Sequence, residues 1–223
     1  MAIKTSALLL LLSSAAASAQ EGHPNFEGFY AQIGVGGIHR DPSKSVELTI
    51  NGIVAPATIS NNGAKNYLGS QAELGYNWRL SPDYLIGFGG AILPMGDHYR
   101  SASLNALGAS FPFSSGHAQY NLSVFIAPMI QLSEDSVVYG KLGFNRTAIR
   151  EEALPDFSGY VAGLGYKRFI YASFYAFGEL SYYASHSKTI HKTINVRTGV
   201  VLDANASAAP NFAAGLIGIG YQF

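Results

Sequence analysis

The sequence has no cysteine, little charge and, past its first residues, no unbroken apolar run long enough for a membrane helix. Each shortage excludes something. Without cysteine there is no disulfide framework, so stability must come from the fold alone. Charged residues make up 13% of the chain, about half of what a soluble globular domain carries. The formal net charge is zero, so the chain as a whole has no electrostatic pull toward nucleic acid. What is plentiful instead is Gly (25), Tyr (14) and Phe (13).

The first residues, MAIKTSALLLLLSSAAASAQ, carry one early cation (Lys4), an apolar core over residues 7–12 and small residues ending in Ala17-Ser18-Ala19. That is the layout of a secretory signal peptide, and its core is too short to anchor a helix in a bilayer. The division expected is a signal peptide over residues 1–19 and one mature domain over residues 20–223.

Mean hydropathy is positive, +0.14, which in an exported chain invites a search for membrane spans. The best helical candidate, ANASAAPNFAAGLIGIGYQF, contains Pro210, and its apolar residues recur with a period of two rather than 3.6. Both features oppose a helix. A spanning β-strand needs only about 9–11 residues, and its sign is alternation between turns.

Alternation recurs along the chain. In QAELGYNWRL, Ala72, Leu74, Tyr76, Trp78 and Leu80 share one face, and Gln71, Glu73, Gly75, Asn77 and Arg79 the other. Leu122, Val124, Ile126 and Ile130 oppose Asn121, Ser123 and Gln131. Val138, Leu142 and Phe144 oppose Lys141, Gly143 and Asn145; Tyr160, Leu164 and Tyr166 oppose Gly163, Gly165 and Lys167. Phe174, Leu180 and Tyr182 oppose Glu179 and Ser181. FYAQIGVGG, YLIGFGGAIL and the terminal GLIGIGYQF alternate against glycine. That makes eight strands. A soluble sandwich with one wet face would alternate too. The nearly uncharged outer face, the aromatic residues near segment ends and the strand length favour a membrane barrel. Such a sheet must close, because an open edge leaves backbone groups unpaired in lipid.

Short connections at residues 81–83, 133–136 and 170–173 alternate with long ones over residues 40–66, 94–117, 145–157 and 185–211. Short periplasmic turns and long extracellular loops would give that asymmetry, with both chain ends in the periplasm. Asn51-Gly52 suits a type I′ hairpin. Strands one and two are therefore expected to continue past the membrane as a ribbon, and KTIHKTINVRTGVVLD to do likewise. Pairing of either ribbon inside the membrane would make ten strands.

GFYAQIGVGG resembles the first strand of the small OmpA-like, opacity-type outer-membrane barrels, and GSQAELGYNW the second strand of their "porin family" surface antigens. The terminal GIGYQF resembles their last strand, which implies that Tyr221 and Phe223 are read by the barrel-assembly machinery. The resemblance implies residence in the outer membrane of a Gram-negative bacterium. It specifies architecture better than activity.

An eight-stranded barrel has an interior about wide enough for side chains to fill. Its polar inner residues suit either an ion path or a plug in which Glu73 and Glu179 meet Arg79, Lys141 and Lys167; barrel size favours the plug. Lys141 and Glu179 are expected at one depth as a buried pair. Lipid A-modifying enzymes also use such barrels, but His186, between Ser185 and Ser187, cannot aim at either within a regular strand. No catalytic, metal or cofactor site is therefore assigned, and six loop-rich histidines lack ligand spacing. Asn145-Arg146-Thr147 is a chance sequon, and Gly34 to Gly37 have no following helix to bind phosphate. Function is expected in the loops. The fourth is basic, with Lys188, His191, Lys192 and Arg197, and suits lipopolysaccharide, an acidic glycan or a host surface. The reading is a structural or surface-interaction protein; the alternatives are a small diffusion channel or, less favoured, a lipid A-modifying enzyme.

Overall fold

The computed structural model describes residues 25–50, 53–55, 57–60, 65–95, 102–106, 109–113, 118–149, 156–196 and 200–223. The expected signal peptide and Arg197 lie outside them. In chain order the strands are β1 (Gly28–Ile50), β2 (Ile53–Ala55), β3 (Ala57–Ser60), β4 (Lys65–Ser81), β5 (Tyr84–Pro94), β6 (Ala102–Ala106) and β7 (Ala109–Phe113). They continue with β8 (Ala118–Ser133), β9 (Ser136–Ile149), β10 (Phe157–Tyr171), β11 (Phe174–Ser185), β12 (Lys188–Val196) and β13 (Val200–Gln222). There is no helix among the described residues.

Eight of these strands form the wall. β1, β4, β5, β8, β9, β10, β11 and β13 pair antiparallel in that order, and β13 returns to β1. The sheet is a closed barrel. From Tyr30 the register passes through Gly75, Gly89, Phe125, Gly143, Val161, Tyr183 and Phe212 and re-enters β1 at Arg40, ten residues further on. That stagger obliges the strands to tilt, by about 35–45° in closed barrels. Three tight turns close one end, at Pro82-Asp83, Glu134-Asp135 and Ala172-Ser173.

At the far end the ribbon expected over KTIHKTINVRTGVVLD is present as β12 on β13, whereas the one expected between the first two wall strands is not. β1 and β4 separate after Arg40↔Lys65, whereas β1 stays paired with β13 as far as Ile50↔Leu202. β2 folds back on β1 with Ile50 opposite Ile53, and β12 lies along β13 from Lys188↔Ala208 to Val196↔Val200. The extension therefore joins the first strand to the last, in the order β12-β13-β1-β2. Much of what reads as loop is thus strand, and the wall count stays eight. Pro42 faces Pro210 where this extension begins. Neither proline has a donor to give. β4 has already left β1 at Arg40, and β13 passes from β11, after Phe212, to β12, from Ala208, so no third strand needs those amides.

Inward and outward positions alternate along every wall strand. Outward are large apolar residues such as Ile33, Val35, Leu74, Leu142, Leu164, Leu180 and Ile217. The interior is layered. Phe26, Leu85, Met129, Val137 and Phe169 fill the turn end, and Ile38, Leu93, Val161, Tyr183, Phe212 and Leu216 fill the upper part. Between them lies a level of tyrosines and charges. The glycines make room for it: a β-carbon on Gly165 would stand 2.2 Å from Tyr139 Cζ, and one on Gly220 2.2 Å from Tyr175 Cζ.

Candidate functional site

The charged level is built from strands that do not touch as neighbours. Glu73 comes from β4, Lys141 from β9 and Glu179 from β11, and each points inward by the same alternation that sends Leu74, Leu142 and Leu180 outward. Lys141 Nζ lies 2.6 Å from Glu73 Oε2 and 2.5 Å from Glu179 Oε2, with all three side chains at most 1% exposed. Every oxygen of the two carboxylates accepts at least one hydrogen bond. Tyr30 donates to Glu73 at 2.9 Å and Gln71 at 3.2 Å; Tyr139 donates to Glu179 at 2.8 Å and Ser181 at 2.7 Å. Burial of charge is tolerated only with such pairing and added hydrogen bonds. The predicted Lys141–Glu179 pair is present, and Glu73 makes it a triad.

The other two cations of the expected plug lie elsewhere. Lys167 forms no ion pair with a described residue; its ammonium sits 4.0 Å from the Tyr30 ring centroid and 5.1 Å from those of Tyr139 and Tyr175. Cation–π attraction to ring faces replaces the expected carboxylate. Arg79 is at the turn end, donating to Pro82 O, Gln131 Oε1 and Asn25 Oδ1 at 2.7, 2.9 and 2.6 Å, with Glu27 3.5 Å away. Its position in β4, six residues below Glu73, puts it out of reach of the triad. There it steadies residues 25–27, and Phe26 enters the lower mouth as a cork, its ring 4.2 Å from Phe169 and its carbonyl bonded by Asn77. Tyr30, Tyr139, Tyr175 and Phe26 escaped the sequence reading, which counted only polar inner residues. Their signal was available, since each tyrosine occupies an inward position of an alternating strand.

The outer wall is stratified too. Along β10 the outward residues run Ser158, Tyr160, Ala162, Leu164, Tyr166 and Arg168, with Ser158 paired to Arg146 and Arg168 to Ser136. Ten residues of strand, at ~3.3 Å each and tilted ~40°, span about 25 Å, the height of an outer-membrane apolar band. Arg168 binds Asp135 at 2.9 Å at the lower edge. At the chain end, Tyr221 packs edge-on against Phe174 at 5.0 Å and Phe223 at 4.9 Å, while Phe223 N donates to Phe29 O at 2.8 Å and seals the seam. At the upper edge Lys188 Nζ donates to Asp156 O at 2.5 Å. His191 and Lys192 pair through their backbones with Asn205 and Ala204 of β13; their side chains lie outside the described positions, as does Arg197 altogether. The His186 ring is bonded to the Ser158 carbonyl at 3.0 Å rather than to a serine hydroxyl.

A closed barrel with an apolar exterior, an aromatic-edged band and an ion-paired charged interior is the arrangement of proteins that cross a membrane by strands. The outer membrane protein OprG from Pseudomonas aeruginosa is similar in structure, with a TM-score of 0.55 over 90% of this chain and 98% of that one, at 15% identity. The chain has the fold of an outer-membrane β-barrel. More distant matches are Ail, the attachment invasion locus protein of Yersinia pestis (TM-score 0.36, 13% identity, 83% and 99% covered), and the outer membrane protease OmpT from Escherichia coli (0.44, 10%, 92% and 100%). No family model and no curated protein matches the chain.

Proposed function

We propose that this protein is a non-enzymatic surface protein of the Gram-negative outer membrane, of the OmpA-like, opacity type, in which a closed barrel anchors a projecting sheet. The observation that carries this reading is the division of the molecule. The lumen is crossed by Glu73, Lys141 and Glu179 and capped by apolar layers, while β1 and β13 run on past the wall and are flanked there by β2 and β12. The tight turns then face the periplasm and the projecting sheet faces outward. Its β12 edge, with Lys188, His191 and Lys192, supports attachment to an acidic polysaccharide. Tyr221 and Phe223 serve as the terminal address for barrel assembly.

Two measurements test the reading. In planar bilayers the purified protein is expected to give no regular conductance steps; such steps would favour the diffusion channel instead. Cells displaying it are expected to be retained on heparin-coated beads in a salt-sensitive manner. Excision of residues 43–64 together with 189–208 should abolish retention while heat-modifiable gel mobility survives. Retention unchanged by that excision would sink the attachment role.

A further inference from the structure

The upper edge of the wall carries a grid of outward side chains that the barrel reading leaves unused. Register pairs Phe144 with Tyr160 and Arg146 with Ser158, and the His186 amide donates to Ser158 O at 2.9 Å. Apolar residues stand lowest, with Leu142, Leu164 and Tyr182 exposed. An aromatic row follows: Phe144 on Tyr160 at 5.3 Å and Tyr160 on His186 at 5.2 Å. Directly above are Arg146, His186 and Lys188, with Asp156 the acidic group among the described residues there.

Asp156 positions the cations without consuming them. Its Oδ2 accepts from Arg146 Nε at 2.9 Å and Nη2 at 2.6 Å, and its backbone carbonyl, not its carboxylate, takes Lys188. A guanidinium has five N–H donors, so this pairing leaves three, and the Arg146 side chain is 70% exposed. Among the described residues, two full positive charges face one negative charge at the height where an apolar band meets headgroups. The aromatic row beneath suits the start of an acyl chain.

We infer that Arg146, Lys188 and His186 bind the phosphate of a lipid headgroup in the outer leaflet, the planar Arg146 fork supplying paired donors and Lys188 a point charge. The inference rests on the membrane placement proposed above. It shares Lys188 with the polysaccharide-attachment edge, and Arg146 separates the two.

Native mass spectrometry of the detergent-solubilised protein, titrated with bisphosphorylated lipid A and with its dephosphorylated form, tests the site. The wild type is expected to retain the phosphorylated lipid preferentially. R146Q/K188Q should lower its retention about tenfold, the loss of charge-assisted contacts to one anion. R146K, which keeps charge but not the fork, should fall between them. Heat-modifiable mobility confirms that each variant is folded. Equal retention of both lipids by the wild type, or unchanged retention by R146Q/K188Q and R146K, would overturn the site. R146Q alone should leave heparin retention intact. Loss of heparin retention by the ribbon excision, with lipid retention unaltered, leaves both readings standing and separate.

Discussion

Two lysines share this lumen and are accommodated in opposite ways. In the middle level Lys141 is clamped between two carboxylates, themselves hydrogen-bonded by Tyr30, Tyr139, Gln71 and Ser181. One level lower, Lys167 is surrounded by the faces of Tyr30, Tyr139 and Tyr175. Both ammonium groups are equally hidden from water. The difference teaches that burial of charge does not prescribe its partner. A carboxylate neutralises; a ring face attracts without neutralising, and leaves the charge count to be balanced elsewhere. Here the balance is collective, two lysines against two glutamates across two levels.

Substitution separates the levels. Lys141→Met strands two carboxylates and should cost about 3–5 kcal/mol in urea unfolding from lipid vesicles. In a double-mutant cycle Glu179→Leu should recover part of that loss, and additive losses would dissolve the triad into independent contacts. Tyr139→Phe probes the boundary, since it keeps the ring beside Lys167 but removes the hydroxyl bonded to Glu179. The expected loss is about 1.5–3 kcal/mol, the worth of a hydrogen bond to a charged group. Lys167→Met should cost less, about 0.5–2 kcal/mol, because cation–π attraction is partly offset by relief of desolvation. A loss matching that of Lys141→Met would erase the distinction between the two levels.

The weakest effect belongs to an ion pair in water. Asp135 is held below the usual carboxylate range, chiefly by the Ser133 hydroxyl and then by Arg168. A depressed pKa means stability that is complete above the unfolded value of about 4 and disappears as pH falls through the lower folded one. Asp135→Asn should therefore differ slightly from wild type at neutral pH and coincide with it in acid. A difference that grew in acid would reverse the sign of the argument.

The period of two made the wall legible, because a strand buried on one side and bathed in lipid on the other has no freedom about where its leucines go. Leu142, Leu164 and Leu180 were placed by that rule, and so were Lys141, Glu73 and Glu179 facing them. What alternation does not carry is register. Arg79 and Lys167 share the inward face with the triad, yet their depths follow from pairings such as Glu73↔Ala91 and Lys167↔Val137. Those pairings depend on turn geometry and on which glycine lies under which ring. The pairing of β1 with β13 rather than β4 in the projecting sheet was hidden for a different reason. Pro42 and Pro210 look like strand breakers in one dimension, and only the joint departure of β4 and β11 makes their missing amides harmless. Lys188 was readable as basic, but its neighbour Arg146 comes from a strand three turns of chain away.

The seam between β1 and β13 has a consequence for how the molecule forms. Tyr30 lies opposite Gln222, and Phe223 donates to Phe29, so the contact that completes the wall joins the two ends of the described chain. Hairpins such as β8–β9 and β10–β11 need only a two-residue turn to meet. The loop entropy of joining the ends grows with the intervening length, and non-local contacts of this kind slow folding. The order of events follows: local hairpins early, seam last. Until that moment two strand edges are unpaired in a solvent that cannot bond them, so the half-built wall is the state most exposed to wrong pairing.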